Sequence, residues 1–170
     1  MDNPELKSTL KLLGERVPPA SPLLLVGGSA LTLLWSPRPT MDIDFMGDDV
    51  HPTELHRQLI QLAKELKIHL DPVPLDRFVP LPEGSENRKI LIGRFGNLDV
   101  YVADPYSIAL SKVDRGLKAD LDDLVFLVEH NYITLEKLEQ IMQSTLPQAG
   151  KFDFHPEILI HLEELKKRLK

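Results

Sequence analysis

Apolar residues recur along the chain at two spacings, one typical of helices and one typical of strands. Near the start, leucines three and four residues apart indicate one face of a helix, and a continuous apolar run between Pro22 and Gly27 indicates a buried strand. Strict alternation predicts a further strand with Met41, Ile43 and Phe45 on one face. The elements predicted here are a helix over 5–16, a strand over 23–26, a helix over 30–35 that Ser29 caps, a strand over 41–46 and a helix that Thr53 caps.

The rest of the chain predicts one β-hairpin followed by helices. The proline-rich segment 70–82 is expected to be irregular or an edge strand, and 83–87 a loop. Strand-like runs over 89–95 and 98–102 flank Gly96-Asn97, a two-residue turn signal. The predicted helices run from Pro105 to about Gly116, over 121–128, from Thr134 to near Pro147, and onwards from Pro156.

This order of elements predicts the α+β class, with a mixed β-sheet core flanked by helices and a helical C-terminal half. Residues 1–103 are expected to form the α/β core with its N-terminal helix. Residues 104–170 are expected to supply helices that pack on this core, so that the two parts make one compact unit.

Composition narrows the classes of function. The 170 residues include no cysteine, which excludes a disulfide scaffold, a thiolate metal site and a cysteine nucleophile. The formal net charge of −6 disfavours non-specific coating of nucleic acid. There is no apolar run long enough to span a membrane, and the first residues lack the pattern of a signal peptide. We therefore expect a cytoplasmic protein that does not bind membranes.

Gly27, Gly28 and Ser29 lie between a predicted strand and a predicted helix. Two glycines at such a junction let the backbone approach a ligand closely, and the N–H groups of a helix start favour an anion. Ser29 adds a hydroxyl. Gly-Gly-Ser also forms ordinary turns, so this segment alone favours a turn over a phosphate-binding site.

Asp42 and Asp44 are two residues apart, so their side chains share one face of a strand. Carboxylates this close repel each other unless a cation lies between them, and oxygen ligands of this kind suit Mg²⁺ or Mn²⁺. A solvated strand face is the alternative, although Asp is a poor strand former. The pair alone leaves both interpretations open.

Together the two segments resemble the nucleotidyltransferase fold, the DNA polymerase beta superfamily. Members carry a strand, Gly-Gly-Ser, a helix and then an Asp-x-Asp/Glu strand, and here twelve residues separate Ser29 from Asp42. The run 38–44, RPTMDID, also resembles the form found in small bacterial nucleotidyltransferases, including the AbiEii/MenT toxin group. The resemblance implies a nucleotidyltransferase-like sheet.

The resemblance also implies a third carboxylate on a later strand. Asp99, between Leu98 and Val100, fits that pattern, while Asp71 and Asp104 are competitors. An ordinary aspartate at the end of a hairpin is the structural alternative. On this basis Asp42, Asp44 and Asp99 are the expected catalytic residues and the expected ligands of two Mg²⁺ or Mn²⁺ ions.

A further resemblance covers residues 104–124. In the similar proteins one helix supplies a lysine towards the triphosphate, and the next opens with R/K-D-x-x-D. Lys112 matches the lysine, and Asp120 and Asp123 match the acidic pair, although Ala119 stands where a basic residue is usual. Solvated or helix-start positions are the alternatives for these residues. The substrate-binding residues implied in all are Gly27, Gly28, Ser29, Arg38, Thr40, Lys112 and Arg115.

The implied reaction transfers a nucleoside monophosphate from a nucleoside triphosphate to an acceptor hydroxyl. The ions would offset the triphosphate charge and activate the hydroxyl, and Asp99 would also accept its proton. The acceptor remains open among tRNA, protein and small molecules. A toxin-like role with an antitoxin partner follows only from the resemblance.

Two alternatives stand beside this hypothesis. One is a catalytically silent protein of the same fold that binds a nucleotide or a protein partner, and the other is an α+β protein in which both motifs are accidental. Convergence of the three aspartates beside the Gly-Gly turn would separate them. The six histidines are expected to be surface or capping residues, since no acidic ligand has zinc spacing from His51 and His56.

Overall fold

A computed structural model describes residues 1–170 of the chain, which divide into two units. The sheet unit comprises residues 1–74 and 89–103, and the helical unit comprises residues 75–88 and 104–170. The sheet unit ends at residue 103. Residues 75–88, in contrast, belong with the C-terminal helices rather than with the sheet.

The sheet unit contains a five-stranded mixed sheet flanked by helices, which confirms the predicted α+β class. Its elements are α1 (Asn3–Gly14), β1 (Ser21–Val26), α2 (Gly27–Leu33), β2 (Ile43–Met46), α3 (Glu54–Leu66), β3 (Leu70–Val73), β4 (Ile90–Phe95) and β5 (Leu98–Val102). The strands lie in the order β3-β2-β1-β5-β4. Strand β1 runs antiparallel to β2 and parallel to β5, and β3 is an edge strand, as its prolines predict.

The first helix and the hairpin fix each other's ends. Helix α1 begins earlier than predicted because Asp2 and Glu5 form a capping box. The Asp2 carboxylate accepts a hydrogen bond from the Glu5 N–H at 2.9 Å, and the Glu5 side chain accepts one from the Asp2 N–H at 2.8 Å. The helix ends at Gly14, whose carbonyl accepts from the Asn97 N–H at 2.8 Å. A Cβ on Gly14 would lie only 1.9 Å from the Phe95 carbonyl oxygen. The predicted two-residue turn of the hairpin therefore packs directly on the end of α1.

Strand β2 is shorter than the alternating pattern predicts. Ile43 and Phe45 are fully buried, but Met41 is 85% exposed and lies outside the strand together with Asp42. The Thr40 hydroxyl donates to the Asp42 carbonyl at 2.8 Å, which turns the backbone before the sheet begins. The prediction that Met41 belongs to the buried face and that Asp42 lies within the strand is wrong for this reason.

The helical unit is formed by the C-terminal helices and two single-turn helices that were not predicted, one within the proline-rich segment 70–82 and one that overlaps the expected loop 83–87. Its elements are α4 (Leu75–Phe78), α5 (Ser85–Arg88), α6 (Pro105–Arg115), α7 (Lys118–Glu129), α8 (Leu135–Thr145), a 3₁₀ turn (Leu146–Gln148) and α9 (Ile158–Arg168). Helix α6 contacts α7, α8 and α9. None of the helices combines the length and the apolarity that crossing a membrane requires.

Asp104 is the N-cap of α6. Its buried carboxylate accepts from the backbone N–H groups of Tyr106 and Ser107. Arg88, at the end of α5, donates two hydrogen bonds of 2.8 Å to the same carboxylate. Asp104, one competitor for the third carboxylate of the site, is therefore committed to capping and to an ion pair within the helical unit.

Phe45 and Met41, two apolar residues of the 41–46 segment, should differ sharply in their contribution to stability. Replacing Phe45 with Ala should lower the free energy of unfolding by about 3–5 kcal/mol, because a fully buried aromatic ring leaves a cavity. Replacing Met41 with Ala should change it by less than about 0.5 kcal/mol, because its side chain is exposed. Urea denaturation of both variants measures this, and equal losses would contradict the observed start of β2.

Candidate active site

Ser29 joins β1, α2 and β2 through one buried hydroxyl. Its Oγ donates to the Val26 carbonyl at 2.9 Å and lies 3.2 Å from the Asp44 carbonyl, and it accepts from the Asp44 N–H at 3.1 Å. Helix α2 starts at Gly27, two residues earlier than the predicted cap, and Val26 is its N-cap. The Ser29 hydroxyl therefore neither caps the helix nor faces a ligand, and it holds the backbone of Asp44 in place.

Gly27 provides the space into which the Asp44 carboxylate fits. Gly27 has a φ of +60°, a conformation that residues with a side chain rarely adopt. A Cβ at this position would lie 2.8 Å from Oδ2 of Asp44. A Cβ on Gly28 would lie 3.3 Å from the Thr40 hydroxyl oxygen, which is a tight contact. The two glycines thus let the carboxylate and the loop before β2 approach the start of α2.

Thr40 and Arg38 lie in the loop between α2 and β2. Thr40 is 8% exposed, and its backbone is bonded on both sides to Met1: the terminal ammonium group donates to its carbonyl at 2.5 Å, and its N–H donates to the Met1 carbonyl at 3.0 Å. Its hydroxyl donates a hydrogen bond to the Asp42 carbonyl, so Thr40 stabilises the conformation of this loop. Arg38 is exposed, and its carbonyl lies 3.4 Å from the Thr32 hydroxyl. Asp42 is exposed immediately before β2.

Asp71 is the carboxylate that the sheet places beside Asp44. The two residues are register partners on the parallel strands β2 and β3. Such partners point to the same face and have backbones about 4.8 Å apart. Asp71 is exposed and Asp44 is half-buried. The sequence signal is Leu70-Asp71-Pro72-Val73, an aspartate between apolar residues, which the neighbouring prolines obscured.

Asp99 does not converge with the other two aspartates. It is the register partner of Pro22 on β1, whereas Asp44 is the partner of Val26. Pro22 and Val26 are four residues, or about 13 Å, apart along β1. The strands that carry Asp44 and Asp99, β2 and β5, lie on opposite sides of β1 and are therefore about 10 Å apart. Arg94 donates to the Asp99 carboxylate at 2.8 Å. An ion whose oxygen ligands lie at about 2.1 Å cannot span this distance, so Asp99 cannot share an ion with Asp44.

Lys112 lies in a buried charge cluster of the helical unit, paired with two carboxylates. Its Nζ lies 2.7 Å from Oδ2 of Asp123 and 3.5 Å from Oδ1 of Asp120, and all three side chains are at most 3% exposed. Arg115 donates two hydrogen bonds, of 2.7 and 2.5 Å, to Asp120. Lys112 therefore lies on neither a solvated face nor a surface open to a ligand, and its charge is matched by two carboxylates.

Asp120 combines a capping role with this ion pairing. Its carboxylate accepts a hydrogen bond from the Leu117 N–H at 3.2 Å at the start of α7, which agrees with the helix-start interpretation for Asp120 but does not extend to Asp123. Burial by itself raises the pKa of Asp120, but the Arg115 hydrogen bond, the charges of Lys112 and Arg115 and the Leu117 N–H together hold it below its usual value. The spacing Lys112-x-x-Arg115 followed by Asp120-x-x-Asp123 was the available sequence signal for the cluster.

A comparison with models of protein families identifies the family of this chain. Residues 4–170 match a family model described as a nucleotidyltransferase of unknown function, DUF6036. The chain belongs to the DUF6036 family. Comparisons with curated proteins and with solved structures gave no match. Membership confirms the nucleotidyltransferase part of the resemblance, while a specific relation to the AbiEii/MenT group stays a prediction.

In this DUF6036 chain, replacing Ser29 with Ala should lower the free energy of unfolding by about 1–3 kcal/mol, because the Asp44 N–H loses its partner inside the protein. Replacing the exposed Ser8 with Ala is the matched control and should change it by less than about 0.5 kcal/mol. Chemical denaturation measures both. A Ser29 variant as stable as the control would show that the hydroxyl does not hold β2.

Replacing Asp120 with Asn should lower the free energy of unfolding at pH 7 by about 3–5 kcal/mol, because it removes one partner from a buried ionic cluster. The pKa of Asp120 is lower in the folded protein than in the unfolded chain, where it is about 3.9. The ionised carboxylate therefore stabilises the fold at pH values above that unfolded-state pKa. That contribution is lost as the pH falls through the lower folded-state pKa, so the gap between wild type and variant should narrow below about pH 4.

Denaturation at pH 7 and pH 3 measures the effect. The control is Asp122→Asn on the same helix, whose exposed pair with Arg168 should be worth at most about 1 kcal/mol. An Asp120→Asn penalty that stays constant with pH would contradict the ionic role of the cluster.

Proposed function

We propose that the protein transfers a nucleoside monophosphate from a nucleoside triphosphate to an acceptor hydroxyl, using Mg²⁺ or Mn²⁺ held by Asp42, Asp44 and Asp71. The observation that carries this proposal is the position of the Asp44 carboxylate, against Gly27 on one side and in register with Asp71 on the other. Membership of a nucleotidyltransferase family supports it. Asp71 takes the role first expected of Asp99.

The residues present fit a hard divalent cation. Asp44 and Asp71 offer carboxylate oxygens from neighbouring strands, which is the ligand type that Mg²⁺ and Mn²⁺ prefer. Asp42 adds an exposed carboxylate immediately before β2. The space at Gly27 that a Cβ would fill brings one carboxylate oxygen close to the backbone at the start of α2. Oxygen ligands and a close backbone approach therefore occur together.

The proposed transfer balances as a single displacement. The acceptor oxygen attacks the α-phosphorus and forms a new P–O bond, while the bond to the β-phosphate breaks and pyrophosphate leaves. The proton of the acceptor hydroxyl passes to a carboxylate of the cluster. When bound, the metal offsets the triphosphate charge and lowers the pKa of the acceptor hydroxyl.

Substrate contacts are assigned differently from the expectation based on resemblance. Lys112 is neutralised by Asp120 and Asp123, so we assign it to the stability of the helical unit rather than to the triphosphate. The Ser29 and Thr40 hydroxyls position the aspartates and do not bind phosphate themselves. The acceptor among tRNA, protein and small molecules, the toxin-like role and the antitoxin partner stay predictions.

Calorimetric titration with each of the four nucleoside triphosphates, with and without Mg²⁺, tests the binding step. One triphosphate should bind in a Mg²⁺-dependent manner. Asp44→Asn should weaken this binding at least about tenfold, because losing a direct ligand costs no less than losing an outer-shell partner of a metal. Asp99→Asn is the matched control, since it changes a carboxylate on the same face of the same sheet, and its affinity should remain that of wild type.

The opposite pattern would overturn the assignment: weakened binding in Asp99→Asn with wild-type binding in Asp44→Asn. Absence of binding to all four triphosphates by the folded wild-type protein would count against the proposed function itself. Circular dichroism of each variant verifies that the loss of binding is not a loss of folding.

One observation favours the catalytically silent alternative. Asp99, expected to be catalytic, pairs with Arg94, and Lys112, expected to bind the substrate, pairs with Asp120 and Asp123. A silent protein would bind the triphosphate with Mg²⁺ but release no pyrophosphate in the presence of any acceptor class. Pyrophosphate release that Asp44→Asn abolishes would exclude this alternative.

A further inference from the structure

Three side chains of the helical unit converge around the start of α9. A ring nitrogen of His155, a ring nitrogen of His161 and a carboxylate oxygen of Glu157 all lie within 4.8 Å of one another. His155 and Glu157 are exposed, and His161 is half-buried. The expectation of surface or capping histidines did not include such a cluster, and the sequence signal for it was the run His-x-Glu-x-x-x-His.

His161 is held in the orientation of a metal ligand. Its Nδ1 lies 2.7 Å from the Val113 carbonyl oxygen. A carbonyl only accepts hydrogen bonds, so Nδ1 carries the proton and Nε2 keeps its lone pair free for a cation. Histidines that ligate metals usually donate their second ring N–H in this way, which fixes the tautomer and the ring orientation.

Gly116 makes room for this ring. It ends α6 with a φ of +67°, and a Cβ there would lie 2.2 Å from Nδ1 of His161. The imidazole therefore packs against a position that no other residue could occupy without displacing it. The ring is fixed by the fold and is not a freely rotating surface group.

The other two residues are held close to His161 by backbone hydrogen bonds. The Glu157 carbonyl accepts from the His161 N–H at 3.0 Å, which places the two residues one helical turn apart on the same face. The His155 N–H donates to the Asp114 carboxylate at 2.7 Å. The Glu157 N–H donates to Nδ1 of His155 at 3.0 Å, so a metal bond from that nitrogen would replace one exposed hydrogen bond.

The donor set selects the class of cation. Two imidazole nitrogens and one carboxylate oxygen suit Zn²⁺ and similar transition metals, whereas Mg²⁺ prefers oxygen ligands alone. His155 also lines a pocket of about 700 Å³, together with residues that include Asp114, Arg115 and Phe154. Three protein ligands leave a fourth coordination position of a tetrahedral zinc ion for water.

We propose that His155, Glu157 and His161 form a binding site for Zn²⁺ or a similar transition-metal dication, distinct in ligands and in metal from the carboxylate site of the sheet unit. The site rests on the geometry of the helical unit and does not depend on the proposed nucleotidyl transfer. Its occupancy ties the start of α9 to the end of α6 through His161 and Gly116.

Zn²⁺ titration against a competing chromophoric chelator tests this site. Wild type should bind one equivalent that Mg²⁺ does not displace. Glu157→Gln and His161→Gln should each weaken the binding at least about tenfold, as expected for loss of a direct ligand. Glu157 is exposed, so its variant tests the site even if the His161 variant is unstable. Co²⁺ in place of Zn²⁺ should give the visible absorption of a site with nitrogen ligands.

Two controls separate this site from other ligands of the chain. His51→Gln changes an exposed histidine elsewhere and should bind Zn²⁺ as wild type does. The double variant Asp42→Asn/Asp44→Asn should also bind one equivalent of Zn²⁺ with wild-type affinity. Binding that persists at wild-type strength in both Glu157→Gln and His161→Gln, or that the Asp42/Asp44 variant loses, would overturn the proposal, as would the absence of saturable binding by wild type.

Discussion

The hydroxyl of Ser29 is the contact on which the candidate active site depends. It is fully buried and bonds to the last residue of β1 and to both backbone groups of Asp44. A buried donor without a partner is costly, so this arrangement resists displacement of β2 relative to β1. Gly27 then allows the Asp44 carboxylate to lie against the start of α2. The Gly-Gly-Ser segment acts mainly by positioning a carboxylate.

The two units use aspartates in opposite ways. In the helical unit, Asp120 and Asp123 are buried and matched by Lys112 and Arg115, which makes them part of the internal structure. In the sheet unit, Asp71 is exposed beside the half-buried Asp44 on adjacent strands. Burial, and not residue type, therefore distinguishes the stabilising carboxylates from those proposed to bind metal.

Local signals allowed much of the fold to be predicted from sequence. The turn at Gly96-Asn97, the cap Thr53 and the apolar run of β1 each depend on neighbouring residues, and all appear in the structure. The third carboxylate could not be chosen in this way, because the register of β2 with β3 and of β1 with β5 is set by packing across the sheet. The His155–His161 cluster likewise depends on how α9 meets the end of α6.

Binding of Mn²⁺ in the presence of a non-hydrolysable triphosphate tests the central claim most directly, with the free ion counted by electron paramagnetic resonance. The nucleotide-dependent Mn²⁺ should be lost in Asp71→Asn and retained in Asp99→Asn, because register places only Asp71 beside Asp44. Loss in Asp99→Asn together with wild-type binding in Asp71→Asn would contradict the account and return the third carboxylate to β5.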